Sequence, residues 1–368
     1  MILCATYCLD ISLSLSLFPS LSFPFRLTIM SCLGNVDYKE WYDGAYRNFL
    51  HDADKVLDAF FDLCHQAGPE RCAFYRSSPA AIRERLDKLI EAIRLNPIIV
   101  PLSPDESGMP QVITYSHVKR LISTTIYQPL RFFSRSAKIL AALEKGDGQL
   151  FAEFASALGP SSSSFCAAET VPPSIPISGP AADTDDAFPA IMCADARPFN
   201  GSVREFEEYA LQLQKMSTAV GAVQIVFRLS CVGWTVAPKW RFAGPFQGNT
   251  SFPILYVANI ADNVTPLVSA ANNSAAFPGS VVLVQNSYGH TSLAAPSTCT
   301  ARHVRAYFQD GKLPPADTVC DADLVPFYEN DAEAATDEVD ELALAIRKLA
   351  GETNWGLKFQ PTQLHASL

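Results

Sequence analysis

Between residues 36 and 158, apolar side chains recur three and four positions apart. From Arg47 to Gln66, Leu50, Val56, Leu57, Phe60, Phe61 and Cys64 fall on approximately one face, the spacing of an amphipathic helix. Ser78 followed by Pro79 is a helix start signal, and Ile82, Leu86, Leu89, Ile90 and Ile93 continue it at helical spacing. The pattern predicts further helices over Gln111 to Tyr127, Leu130 to Leu143 and Gln149 to Leu158. Pro97, Pro101, Pro110, Pro129 and Gly146 separate them. Their aromatic positions read as packing.

Gly159 to Pro189 is rich in Ser, Pro, Ala and Asp, with no periodicity, and reads as a loop or linker. Beyond it the pattern changes. Ala190 to Cys193 is a short apolar run, read as a candidate strand, and Val203 to Met216 is amphipathic. Phe252 to Ala258 and Ser280 to Val284 are short apolar runs of the kind that buried parallel strands show. This alternation predicts an α/β layer architecture. Near the C-terminus, Val339, Leu342, Ile346 and Leu349 predict a helix over Ala332 to Ala350, closed by Arg347, Lys348 and Gly351.

The first thirty residues behave differently. From Ser12 to Phe25 only Ser, Leu, Phe and Pro occur, the amino acids of all-pyrimidine codons, so the stretch reads as an intron end translated as coding sequence. A secretory signal is the rival reading; against it, Asp10 precedes the run and no small-x-small cleavage site follows. A membrane span is disfavoured by the interrupting prolines and serines and by Arg26.

Composition narrows the partners. A net charge of −10 over 368 residues leaves no basic stripe to neutralise phosphates, which argues against nucleic acid and anionic membrane. Ten cysteines suggest an oxidising compartment. Their positions suggest three pairs, Cys64 with Cys72, Cys193 with Cys231 near the ends of two candidate strands, and Cys299 with Cys320. Cys4, Cys8, Cys32 and Cys166 are left over; buried free thiols are the alternative. Neither metal-ligand spacing nor a CxxC motif is present, and no cofactor is expected. Sequons occur at Asn200, Asn249, Asn263 and Asn272.

Two loops carry chemistry. The run ending at Val257 leads into Asn259-Ile260-Ala261-Asp262-Asn263-Val264-Thr265-Pro266, and the run ending at Val284 leads into Asn286-Ser287-Tyr288-Gly289-His290. In open α/β sheets, functional groups project from loops at the carboxyl ends of strands. A carboxylate after one strand and a histidine after the next is the acid-then-base order of an α/β-hydrolase. Asp262 is therefore the candidate acid and His290 the candidate base, with Gly289 allowing a tight approach. The other histidines, His51, His65, His117, His303 and His365, lie in helical or tail segments and read as structural.

The run from Trp240 through Phe246, Asn249-Thr250-Ser251-Phe252-Pro253-Ile254-Leu255, the Ala-Asp-x-Val-Thr-Pro loop, the Tyr-Gly-His turn and Cys299 to Cys320 resemble the C-terminal domain of tripeptidyl aminopeptidase-like hydrolases. That family belongs with the prolyl aminopeptidase group of serine peptidases. The resemblance extends more weakly back to Asp37. It implies that Asp262 is the catalytic acid and His290 the base, and it implies an extracellular setting. No Gly-x-Ser-x-Gly occurs anywhere in the chain, so the nucleophile has no counterpart. The implied fold is a partial α/β-hydrolase: residues 1–30 an artefact or cryptic signal, 31–158 a helical lid, 159–189 a linker, 190–330 the hydrolase domain and 331–368 a helix and tail.

Three functions stay open. One is a truncated hydrolase, inactive as written, whose parent cleaves a peptide or a small amide or ester by acyl transfer. Another is a non-catalytic ligand- or protein-binding module. The third is an esterase-like enzyme using Cys166 or a serine of Ser161 to Ser164. The oligomeric state is left open.

Overall fold

The computed structural model describes residues 8–11, 29–101, 110–157, 187–328 and 341–352. The chain opens with β1 (Cys8–Ile11) and β2 (Ile29–Leu33). There follow α1 (Tyr38–Asp43), a 3-10 turn (Asn48–Leu50), α2 (Ala53–Arg71), α3 (Pro79–Leu95), the antiparallel pair β3 (Ile98–Val100) and β4 (Gln111–Ile113), α4 (Tyr115–Tyr127), α5 (Pro129–Leu143) and α6 (Gln149–Ala157). After the linker come α7 (Ala187–Asp195), α8 (Val203–Met216) and α9 (Gly221–Ser230). The remainder is β5 (Leu255–Ala261), α10 (Leu267–Ala276), β6 (Val281–Tyr288), α11 (Thr298–Asp310), β7 (Val319–Asp321) and α12 (Glu341–Glu352).

The main sheet has the order β1-β2-β5-β6-β7. β2, β5, β6 and β7 run parallel, and β1 closes one side antiparallel. Apart from Asn259, β5 is apolar without alternation because both of its faces are covered. Tyr256 and Ala258 pack with Ala270 of α10 on one face; Leu255 and Val257 pack with Leu283 and Tyr307 of α11 on the other. The helices inserted between β2 and β5 form the largest core, which includes Val56, Phe60, Phe133, Ile139 and Ile122 and reaches Ala261 at the end of β5.

Local chemistry fixes the helix starts. Ser78 accepts from the N–H of Ala81 at 3.1 Å ahead of Pro79, and Ser297 accepts from Thr300 at 3.2 Å to start α11. Ser202 and Glu205 form a reciprocal capping box on α8. The disulfide Cys64–Cys72 spans a kink in α2 at Gly68-Pro69.

Four sequence expectations are corrected. Ala190 to Cys193 lies in a helix, α7, where Met192 and Cys193 pack against Trp41 and Phe49; four apolar residues do not distinguish helix from strand. Cys193 and Cys231 accordingly join α7 to the end of α9 rather than two strands. Gln111 to Tyr127 splits at Thr114, whose side chain and His117 cap α4, leaving Gln111–Ile113 as a strand. The boundary at residue 30 falls inside β2, a parallel strand of the main sheet, so the helical segment begins after Leu33, and Cys8–Ile11 of the excluded stretch forms β1. Cys32, one of the leftover cysteines, is disulfide-bonded. Of the predicted C-terminal helix, Glu341–Glu352 is helical; residues 332–340 lie outside the described residues.

Candidate active site

Asp262 follows directly on the last residue of β5, and its carboxylate ties its own loop to the one after β6. Oδ1 accepts from the backbone N–H groups of Val264 and Thr265, each at 2.8 Å. Oδ2 accepts from the Thr265 hydroxyl at 2.7 Å and from the N–H of Thr291 at 2.8 Å. The short step from Asp262 to Thr265 is the turn that aspartate side chains stabilise, and it leads into α10. A shift in the β5–β6 register between Asn259 and Ala261 accompanies the turn.

His290 follows β6 by way of Gly289, whose φ of +101° only glycine adopts easily. There is also no room for a side chain, since a Cβ at Gly289 would lie 2.3 Å from Cδ of Pro129. The Gly289 N–H donates to Ala261 O at 3.0 Å, joining the two loops. His290 Nδ1 lies 3.2 Å from Asp262 Oδ1 and 3.2 Å from the Thr265 hydroxyl. An ionised carboxylate only accepts, so the ring proton sits on Nδ1 and leaves the Nε2 lone pair as the basic atom. Among the described residues no side chain hydrogen-bonds to Nε2.

Both groups are buried, their side chains 1% and 2% exposed. Burial on its own drives the Asp262 pKa upward. The charge and hydrogen bond of His290, together with the N–H groups of Thr265 and Thr291, outweigh it and hold the carboxyl below its ordinary value.

Four supporting residues were not legible as site residues in the sequence. Asn259, fully buried on β5, donates from Nδ2 to the carbonyls of Gly289 at 2.8 Å and Thr291 at 2.7 Å, so the sheet itself holds the histidine turn. Gln285 does the same from β6, donating to the carbonyls of Ser292 and Ala295, each at 3.0 Å. Tyr127, at the end of α4, covers the imidazole with its ring. Gly34 follows β2 at φ +72°, and a Cβ there would stand 2.8 Å from Cγ2 of Thr291 and 3.5 Å from Cε1 of His290. A glycine after an apolar run was the one signal for it.

The three expected disulfides are formed, with Cα separations of 5.3 Å for Cys64–Cys72, 5.2 Å for Cys193–Cys231 and 5.5 Å for Cys299–Cys320. Cys299, His303 and Cys320 bring three ligand-type atoms together, but the two sulfurs are bonded to each other and supply no thiolate. Of the sequons, Asn200, Asn249 and Asn272 are exposed. Asn263 is 5% exposed, so the folded chain has no space there for a glycan. Cys166 and Ser161 to Ser164, the alternative nucleophiles, lie outside the described residues, as does His365. His65, His117 and His303 lie in helices, and His51 ends the 3-10 turn.

Residues 217–320 match the family model for TAP-like protein, a range that holds both Asp262 and His290. This part of the chain is similar to the C-terminal domain of tripeptidyl aminopeptidase-like α/β-hydrolases. The parallel sheet and the twelve α-helices of the described residues agree with a partial α/β-hydrolase fold. Among curated proteins no relative matches the chain. Among the described residues no helix is long and apolar enough to cross a membrane.

Proposed function

We propose that the chain carries the acid and base of a serine α/β-hydrolase whose family chemistry is hydrolysis of a peptide bond by acyl transfer, and that it performs no turnover as it stands. The observation that carries this reading is the Asp262–His290 pair: a buried carboxylate after one strand fixes the tautomer of a histidine after the next. That is the division of labour a serine nucleophile needs, with Nε2 taking the hydroxyl proton and the carboxylate stabilising the imidazolium. The helices from α1 to α6 act as the lid over a substrate's end, and the substrate is a peptide or a small amide. The three disulfides fit an oxidising, extracellular setting.

The nucleophile is what this reading denies. With no Gly-x-Ser-x-Gly in residues 1–368, the strand-to-helix elbow that exposes a serine and supplies an oxyanion N–H has no counterpart. Proteases stripped of a triad member retain some rate only through oxyanion hole and binding. The test is hydrolysis of peptide p-nitroanilides and p-nitrophenyl esters by the full chain and by His290→Ala. Equal, background rates are expected; a rate lost on substitution of His290 contradicts the proposal.

A further inference from the structure

A second site lies in the helical layer. Between α2, α3 and α4, beside the turn that precedes α9, is a cavity of about 160 Å³ walled by Leu57, Phe61, Leu86 and Ile122. That is room for a group the size of benzene, in a pocket that is partly open to solvent and whose lining is both polar and apolar. Into it comes Lys119, 7% exposed. An ammonium group has three N–H bonds to satisfy and is costly to bury unpaired, yet one acceptor is in place: the carbonyl of Thr218, at 2.5 Å.

The other charges around the cavity divide into committed and uncommitted. Arg83 is ion-paired with Asp58 and lies over the Phe61 ring. Glu91 holds Arg94 through both oxygens, at 2.6 and 2.8 Å. Asp54, whose charge Lys119 feels, is occupied by Ser217, Thr218 and Ala219. Among the described residues, Lys119 and Asp87 are in no ion pair, and both line the cavity. Asp87 is close enough to act on Lys119 electrostatically. One buried cation, one exposed anion and an apolar wall are the complement of a small zwitterion with an apolar body.

We propose that this cavity binds a free aliphatic α-amino acid, its carboxylate on Lys119, its ammonium on Asp87 and its side chain against Leu57, Phe61, Leu86 and Ile122. The site is separate from the Asp262–His290 pair: Lys119 precedes Tyr127, the residue against His290, by two turns of α4, or about 12 Å of helix rise. Binding makes and breaks no bond, so the inference stands or falls independently of turnover at His290.

The experiment is calorimetric titration of the full chain with L-leucine, with 4-methylpentanoate, which lacks the amine, and with 3-methylbutylamine, which lacks the carboxylate. Leucine is expected to bind, and each truncated analogue to bind about tenfold more weakly or worse. Lys119→Met keeps the stem but removes the charge; Asp87→Asn alters only an exposed group, so the fold survives even if the first variant fails to fold. Each is expected to weaken leucine by about tenfold or more, with circular dichroism confirming folded protein. No leucine binding, equal binding of 4-methylpentanoate, or leucine binding untouched by Asp87→Asn would overturn the proposal.

Discussion

The backbone N–H of His290 donates to the carbonyl oxygen of Tyr127 at 2.8 Å, and the two rings are in tilted contact, centroids 4.6 Å apart and planes at 58°. The end of a helix in the inserted layer thus holds the candidate base by backbone and by ring at once. Tyr127→Ala keeps the first contact and removes the second. It is expected to cost about 2 to 3 kcal/mol, at or below the bottom of the range for a fully buried aromatic, because the side chain is only half-buried. Urea denaturation measures the loss, and broadened His290 ring resonances in NMR report the loosened imidazole.

Gly289→Ala tests the same junction more severely. The new Cβ would meet Pro129 at 2.3 Å and the Tyr127 carbonyl at 2.9 Å, at a φ of +101°. Strain and clash add, so a loss larger than that of Tyr127→Ala is expected. Equal stability of Gly289→Ala and wild type in thermal melts would refute the packing described.

Asp262→Asn should destabilise the chain by about 3 kcal/mol or more, as removal of one partner of a buried pair does. Either orientation of the amide turns an N–H₂ toward a backbone donor, Val264 and Thr265 on one side or Thr291 on the other. The sign of its pH dependence follows from the lowered pKa. The unfolded chain takes up the proton first, so the carboxylate's stabilisation is complete above about pH 4 and drains away as pH falls through the lower native value. The stability gap between wild type and Asp262→Asn is therefore expected to narrow below about pH 4. A gap constant from pH 7 to pH 2 would contradict this.

Asp54 does for the helical layer what Asn259 does for the histidine turn. From the first turn of α2 it accepts from the Ser217 hydroxyl at 2.5 Å, the Thr218 hydroxyl at 2.9 Å and the N–H groups of Thr218 and Ala219, each at 3.0 Å. Asp54→Ala strands those donors, for an expected cost of about 2 kcal/mol. Hydrogen exchange at Thr218 and Ala219 should accelerate in step; unchanged protection would show that the turn stands without it.

Much of this architecture was legible because it is local. Ser78-Pro79 announces α3, and the acid and the histidine sit at the ends of consecutive apolar runs, where parallel strands place their functional loops. What was not legible depends on partners distant in sequence. Asn259 looks like one more polar loop residue until β6 brings Gly289 and Thr291 within reach of its amide. Tyr127 looks like ordinary helix packing until the histidine turn arrives against it. Ala190 to Cys193 reads as a strand from its short apolar run, yet packing against Trp41 and Phe49 makes it helical.

The disulfides should rank by the loop each closes. With sequence separations of 8, 21 and 38, loop-closure entropy gives about 2.5 kcal/mol for Cys64–Cys72, about 3.3 for Cys299–Cys320 and about 3.9 for Cys193–Cys231. Paired Cys→Ser variants, compared by denaturant midpoint, are expected in that order. A Cys193–Cys231 variant as stable as wild type would set the entropic account aside.

Labelling with a fluorophosphonate followed by intact-mass measurement tests most directly whether the Asp262–His290 pair has a serine to activate. A triad serine next to Nε2 of His290 would be phosphonylated stoichiometrically, and His290→Ala would abolish the adduct. No mass increase is expected on labelling, either for the full chain or for His290→Ala. One adduct per chain, on a serine and lost in His290→Ala, would contradict it.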